Sequence, residues 1–169
     1  LGAPVLTTFK GKGLIPDSHP NAAGVLGRSG TPIASWFMNE ADLILALGSS
    51  FSNHTGIEPS KAIIQVDFER MQLGKFHPVA LPVWAELGAF CDALLPGPPR
   101  PADAADQVAD LVERWQIWRD EKSSRMSEGG GKGVHSAVVF DALTRLCPKD
   151  AIIAVDVGNN TYSFGRYFE

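Results

Sequence analysis

The sequence has little with which to cross-link itself or to span a bilayer. It holds two cysteines in 169 residues and no apolar run of the roughly 18 residues that a membrane span needs. Cys91 and Cys147 lie far apart, each in an apolar, helix-like stretch. They read as small buried hydrophobes rather than a disulfide, which suits a reducing, cytoplasmic compartment. With no C-x-x-C pair, a four-cysteine zinc site is excluded. His19, His54, His77 and His135 fall in no ligand spacing such as H-E-x-x-H, so they read as loop or surface residues and no metal site is expected. No G-x-S-x-G elbow occurs, which makes Ser49 and Ser50 poor nucleophile candidates. Basic residues are the minority, 15 Lys and Arg against 19 Asp and Glu, for a net charge of −4. That balance argues against nucleic acid as a partner. The opening Leu1-Gly2-Ala3-Pro4 has neither the basic region nor the apolar stretch of a signal peptide. It also lacks an initiator Met, and Arg166-Tyr167-Phe168-Glu169 carries no helix stop. Both ends are expected to be cut from something longer.

What is present is an ordinary globular composition, 44% hydrophobic and 20% charged, enough for one good core. Pro4 to Thr8 reads as a short strand, and Phe9 to Gly30, rich in Gly and Pro, as a long loop with little regular structure. Thr31-Pro32 gives an N-cap and a first-turn proline for a helix over Ile33 to Glu40. Leu43 to Leu47 and Ala62 to Val66 are continuous apolar runs that suit strands buried on both faces of a parallel sheet. A short helix over roughly Glu69 to Gly74 and a strand over Val79 to Val83, weakened by Pro82, come next. Leu87, Phe90, Leu94 and Leu95 then mark a helix over Glu86 to Leu95. The run Pro96-Gly97-Pro98-Pro99-Arg100-Pro101 reads as a linker. Beyond it, Ala102 to Lys122 reads as one long helix with Val108, Leu111, Val112, Trp115 and Trp118 towards one side. Glu128 to Gly133 is a second break. Val138, Val139, Leu143 and Leu146 mark another helix, stopped by Pro148, and Ala151 to Val155 reads as a buried strand. A last helix is expected to begin near Thr161 and to be truncated. Alternation of strands with helices predicts an α/β fold with a parallel sheet.

In such sheets ligands sit outside the carboxyl ends of the strands. The exit loops are therefore the candidates. Thr8-Phe9-Lys10 opens the first, and its lysines could meet a phosphate. Gly24 to Gly30 places glycines ahead of a helix N-terminus, where N–H groups and the helix dipole favour an anion. Gly48 to Asn53 follows the best strand, and Asp67 ends the next, where a carboxylate can accept from ribose hydroxyls or simply cap a turn. Gly158-Asn159-Asn160 offers donors to a phosphate at a helix start, or forms a plain βα turn.

These motifs, in this order, resemble the thiamine-diphosphate-dependent enzymes of the acetolactate synthase and pyruvate oxidase type. Pro4 to Gly13, Pro16-x-x-His19-Pro20, Gly24 to Gly30, Ala41 to Gly48, Gln65-Val66-Asp67 and Leu73-Gly74-Lys75 are similar to the central domain of that family. Pro148 to Asn159 is similar to the opening of its diphosphate-binding domain. The resemblance implies a Rossmann-like central domain over 1–95, lacking its first strand, a linker and long helix over 96–133, and the first α-β unit of a second α/β domain over 134–169. It implies FAD, ADP or no nucleotide in the central domain. The matching positions are Thr8, Phe9 and Lys10, then Leu26, Gly27 and Arg28, then Gly48, Asp67 and Phe68. It implies Gly158 and Asn159 at the phosphates of thiamine diphosphate. FAD-binding members carry an arginine where Ser49 to Asn53 stand, and Asp-Val where Glu86-Leu87 stands, which counts against FAD.

The resemblance further implies a parent enzyme that decarboxylates a 2-oxo acid, then ligates or oxidises the product. That parent would use thiamine diphosphate and Mg and form a homodimer or homotetramer. The catalytic glutamate and the magnesium motif of the family belong to segments not included here, so this chain is expected to lack catalytic residues and activity of its own. Its partners would be the remaining domains of the parent, with neither nucleic acid nor membrane. Alternative readings are a free-standing nucleotide-binding module and a sirtuin-like NAD-binding domain.

Overall fold

Parallel strands alternate with helices in the computed structural model, which describes residues 1–52, 54–97, 106–128 and 132–169. The chain divides into two compact units, one of Leu1 with Trp36–Ala105 and one of Gly2–Ser35 with Asp106–Glu169. The division falls inside helix α1, Pro32–Glu40.

In the unit built on residues 36–105, three strands pair in parallel and in sequence order: β3 (Leu43–Leu47), β4 (Ala62–Asp67) and β5 (Leu81–Trp84). Leu43 to Leu47 pair with Ala62 to Val66 without a slip. Pro82 is tolerated because β5 is an edge strand, where a missing N–H breaks no ladder on its outer side. The expectation that Leu43–Leu47 is buried on both faces needs correction. Ile44 and Ala46 are buried, but Leu43 and Leu47 are 51% and 42% exposed. The expected helix at Glu69 to Gly74 is a single 3-10 turn, Arg70–Gln72. Helix α2, Leu87–Leu94, packs on β4. Glu86 caps it by accepting from the N–H groups of Gly88 and Ala89 at 2.9 and 2.8 Å.

In the other unit, β1 (Val5–Thr7) pairs in parallel with β2 (Ala22–Val25). Phe9 to Gly30, expected to hold little regular structure, contains the strand β2. Its Ala-Ala-Gly-Val run has little β propensity and is a strand because it is buried throughout. Thr31 caps α1 as expected: Ala34 N–H donates to its Oγ1 at 3.4 Å, and that hydroxyl donates to the Ala23 carbonyl at 3.3 Å.

Helix α3, Gln107–Ser127, buries Leu111, Trp115, Trp118 and Lys122, one stripe at helical spacing. Val112, expected on that stripe, stands about 100° away from Leu111 and is 66% exposed. Trp115 Nε1 donates to the Ala22 carbonyl at 2.7 Å, fastening α3 to β2. Helices α4 (Ser136–Leu146) and α5 (Asn159–Tyr167) pack on each other, and α3 on α4. Buried Lys122 joins them, with its Nζ 3.4 Å from Asp141 and 3.1 Å from Glu169.

The expected strand at Ala151 to Val155 is not formed. The segment belongs to no strand, and Ile152 and Ile153 are exposed. A strand needs a ladder partner, and among the described residues none lies beside it. Helix α5 starts at Asn159, two residues before the expected position. Most of the expected linker, and the centre of the second break, lie outside the described residues.

Candidate functional site

The sequence-predicted positions fall into three groups. Thr8, Phe9 and Lys10 stand beside Leu26, Gly27 and Arg28, because β1 and β2 run parallel and Leu26 N–H donates to the Thr7 carbonyl at 2.8 Å. Thr8 Oγ1 accepts from Gly11 N–H at 3.2 Å and closes the turn Phe9–Gly11. The Phe9 ring packs edge-on against Phe164, centroids 6.2 Å apart. Lys10 and Arg28 are the exposed cations of this group, and Leu26 is buried.

Gly48, Asp67 and Phe68 form the second group, at the carboxyl ends of β3 and β4. Gly48 N–H donates to the Val66 carbonyl at 2.9 Å. A Cβ at Gly48 would stand 3.0 Å from Leu87 Cδ1, so this position is tight against α2. Asp67 Oδ1 accepts from Glu69 N–H at 2.8 Å, the capping role its residue type suggested. The Phe68 carbonyl accepts from Trp84 Nε1 at 2.9 Å, while its ring is 71% exposed.

Sequence reasoning missed Gln65 in this group. Its side chain is buried, donates to the carbonyls of Ser49 and Gln72 at 3.2 Å each, and accepts from Gly74 N–H at 2.8 Å. One amide thus holds both exit loops. The available signal was a single polar residue inside an apolar strand run. Next to it, the Ser49 hydroxyl oxygen is buried with no hydrogen-bond partner among the described residues, and buried Phe51 holds a left-handed backbone, φ 51°.

Gly158 and Asn159 form the third group, with Asn160. Gly158 has φ 149° and ψ −170°, a conformation that only glycine adopts readily, and α5 begins directly after it. The first N–H groups of a helix have no intrahelical acceptor, and Asn159 and Asn160 are exposed. Beside them lies a cleft of about 390 Å³, whose lining includes Phe140, Leu143, Cys147, Val155, Asp156 and Asn160. Asp156 Oδ1 accepts from Val157 N–H at 2.7 Å, and the Thr161 hydroxyl bonds the Asp156 carbonyl. A glycine-opened helix end with free donors fits the phosphate end of an anionic cofactor. The nucleotide positions fit less completely, since no cation stands among Gly48 to Ser52 and Asp67 already caps its own turn.

No group of three or more His, Cys, Asp or Glu poised to hold a metal ion occurs among the described residues. Among them, too, no helix is long and apolar enough to cross a membrane.

Comparison with known proteins gives the relationship. The family model of the thiamine pyrophosphate enzyme central domain matches residues 1–94. The thiamine pyrophosphate-containing protein YdaP of Bacillus subtilis is 31% identical over 173 residues, covering 99% of this chain and 29% of its own length. Sulfoacetaldehyde acetyltransferase of Rhodobacter capsulatus is 29% identical, covering 95% of this chain and 31% of that protein. The large subunit of acetolactate synthase isozyme 2 of Escherichia coli is 26% identical, covering 93% and 28%. The chain therefore spans less than a third of the length of these curated relatives. The chain belongs to the thiamine pyrophosphate enzymes, and residues 1–94 are its central-domain match.

Proposed function

We propose that this chain is part of a thiamine-diphosphate-dependent enzyme that decarboxylates a 2-oxo acid and passes the product to an acceptor. In this reading residues 1–95 are the central domain, 96–133 a linker with a long helix, and 134–169 the start of the diphosphate-binding domain. By itself the chain is a scaffold without catalytic residues, and its partners are the other domains of the parent, within a homodimer or homotetramer in the cytoplasm.

The observation that carries the proposal is the α5 entrance. Gly158 turns the chain with a glycine-only backbone, and Asn159 and Asn160, the first residues of α5, are exposed beside a cleft. Its support comes from the relatives, whose similarity continues past residue 94 to nearly the whole chain. That extent disfavours a free-standing nucleotide module and a sirtuin-like domain.

Thiamine diphosphate supplies the electron sink for decarboxylation when bound. The chain's own part is to orient one end of it. Gly158 lets the backbone approach closely, Asn159 and Asn160 present N–H and amide donors, and the α5 dipole favours the negative charge. Magnesium would be held by residues outside this chain. In the central domain, Thr8, Phe9, Lys10, Leu26, Gly27, Arg28, Gly48, Asp67 and Phe68 are the candidate contacts for FAD or ADP. The lack of a cation among Gly48 to Ser52 favours ADP or no nucleotide over FAD.

The test uses the full-length gene product. Its visible spectrum is recorded as purified, and carbon dioxide release from pyruvate and other 2-oxo acids is followed with and without thiamine diphosphate and magnesium. Release that requires the cofactor is expected. Its absence with every 2-oxo acid tried would sink the reading. A flavin band would assign FAD to the central domain, and a colourless active protein would leave ADP or a pure scaffold.

A further inference from the structure

We infer that Gly165 is a positioning residue for the Gly158–Asn159 end of α5: its missing side chain lets the helix rest on the Gly27–Gly30 loop, and that seat fixes where the phosphate-facing donors stand. The inference rests on the proposed reading of Gly158 and Asn159 as part of a diphosphate site.

Three consecutive residues of α5 make the seat. The Phe164 ring meets Phe9 edge-on. Gly165 is buried, and a Cβ there would overlap the carbonyl oxygen of Ser29 and stand 3.0 and 3.1 Å from two ring carbons of Phe9. Arg166 Nε donates to the Gly30 carbonyl at 3.4 Å.

The loop beneath cannot yield as a flexible side chain would. The atom met at Ser29 is backbone, and its loop is closed by Gly30 N–H to the Gly27 carbonyl and Thr31 N–H to the Val25 carbonyl, both 2.9 Å. Gly30 is itself packed so closely that a Cβ on it would overlap the Val25 carbonyl oxygen. An added methyl at 165 must therefore move the helix, by on the order of 1 Å in a close-packed interior.

That movement reaches the other end. Gly165 and Gly158 are separated by about 10 Å of helix at 1.5 Å per residue. The α5 entrance is tied to its own approach, through Thr161 N–H to the Gly158 carbonyl at 3.1 Å and the Thr161 hydroxyl to the Asp156 carbonyl. Those ties couple the entrance to the helix, so a displaced α5 carries the entrance with it. A misplacement of about 1 Å at oriented donors can cost up to about 100-fold.

The experiment compares the full-length protein with Gly165→Ala, Arg166→Gln and Gly158→Ala. The dissociation constant of thiamine diphosphate, with magnesium present, is measured by calorimetry, alongside the melting temperature without cofactor. For Gly165→Ala we expect binding weakened about 10-fold or more, with the KM for cofactor rising more than kcat falls. For Arg166→Gln, which removes one hydrogen bond, about threefold is expected. A packing role alone would lower the melting temperature and leave the dissociation constant unchanged. Wild-type protein that does not bind the cofactor removes the proposed function and this inference with it, whereas Gly158→Ala that binds it as well as wild type removes the diphosphate role of Gly158 and this inference but not the family activity. If Gly158→Ala is weakened while folded Gly165→Ala and Arg166→Gln bind as wild type, this inference alone fails. Should Gly165→Ala not fold, folded Arg166→Gln decides in the same way.

Discussion

Gln65 Oε1 accepts the Gly74 N–H at 2.8 Å, while the same amide donates through Nε2 to the carbonyls of Ser49 and Gln72. The loops after β3 and β4 thus share one buried anchor. Gln65→Glu keeps the shape and removes both donors, because an ionised carboxylate only accepts. It should destabilise the protein by about 2–4 kcal/mol, read from urea unfolding at neutral pH. A change under about 0.5 kcal/mol would show that the anchor is dispensable.

Trp115→Phe keeps most of the buried ring and deletes the indole N–H that donates to the Ala22 carbonyl. A loss of about 1–3 kcal/mol is expected from the bond and the small void. Hydrogen exchange should also accelerate in β2, and unaltered protection there would separate α3 from the stability of that strand.

Lys122→Met removes the cation between Asp141 and Glu169 but keeps the apolar stem. The two carboxylates retain some water, with side chains 24% and 17% exposed, so the expected loss is about 2 kcal/mol, below that of a fully buried pair. The wild-type advantage should shrink only slightly in high salt, since the Lys122 side chain is 7% exposed. An advantage abolished by 1 M salt would contradict that burial.

The N–H groups of Gly88, first, and Ala89 hold the Glu86 carboxyl below its ordinary pKa of 4.5. A depressed folded pKa means that the cap's stabilisation is present above the unfolded value and is lost as pH falls through the folded one. Wild type should therefore be more stable than Glu86→Ala at pH 7, and the gap between their melting temperatures should close as the pH drops below about 4. A constant gap across that window would mean that the carboxylate is not the cap.

Legibility in the sequence followed how local each cause was. Strands β3 and β4 were readable because Leu43–Leu47 and Ala62–Val66 are apolar runs bounded by Gly48 and Asp67. The cap at Thr31 was readable because its bond spans three residues. Strand β2 was not, since Ala22 to Val25 owes its strand to burial rather than propensity. Ala151 to Val155 misled for the opposite reason: its composition suits a strand, and the neighbours that would make it one are not among the described residues. The candidate positions were found as loops, but not their ties. The Gln65 anchor and the seat of Gly165 on Ser29 depend on contacts across 7 to 136 residues of sequence.

The bond from Trp115 to Ala22 carries a consequence in time. Residues 2–35 leave the ribosome before residues 36–105, yet their compact unit is completed only by residues 106–169. At about 5–20 residues per second, the intervening residues 36–105 take roughly 4 to 14 s to synthesise. During that interval β2 has no α3 to pack against, whereas β3, β4, β5 and α2 are all synthesised. Order of synthesis and order of folding are thereby expected to be inverted, with residues 36–105 completing their unit before residues 2–35 complete theirs.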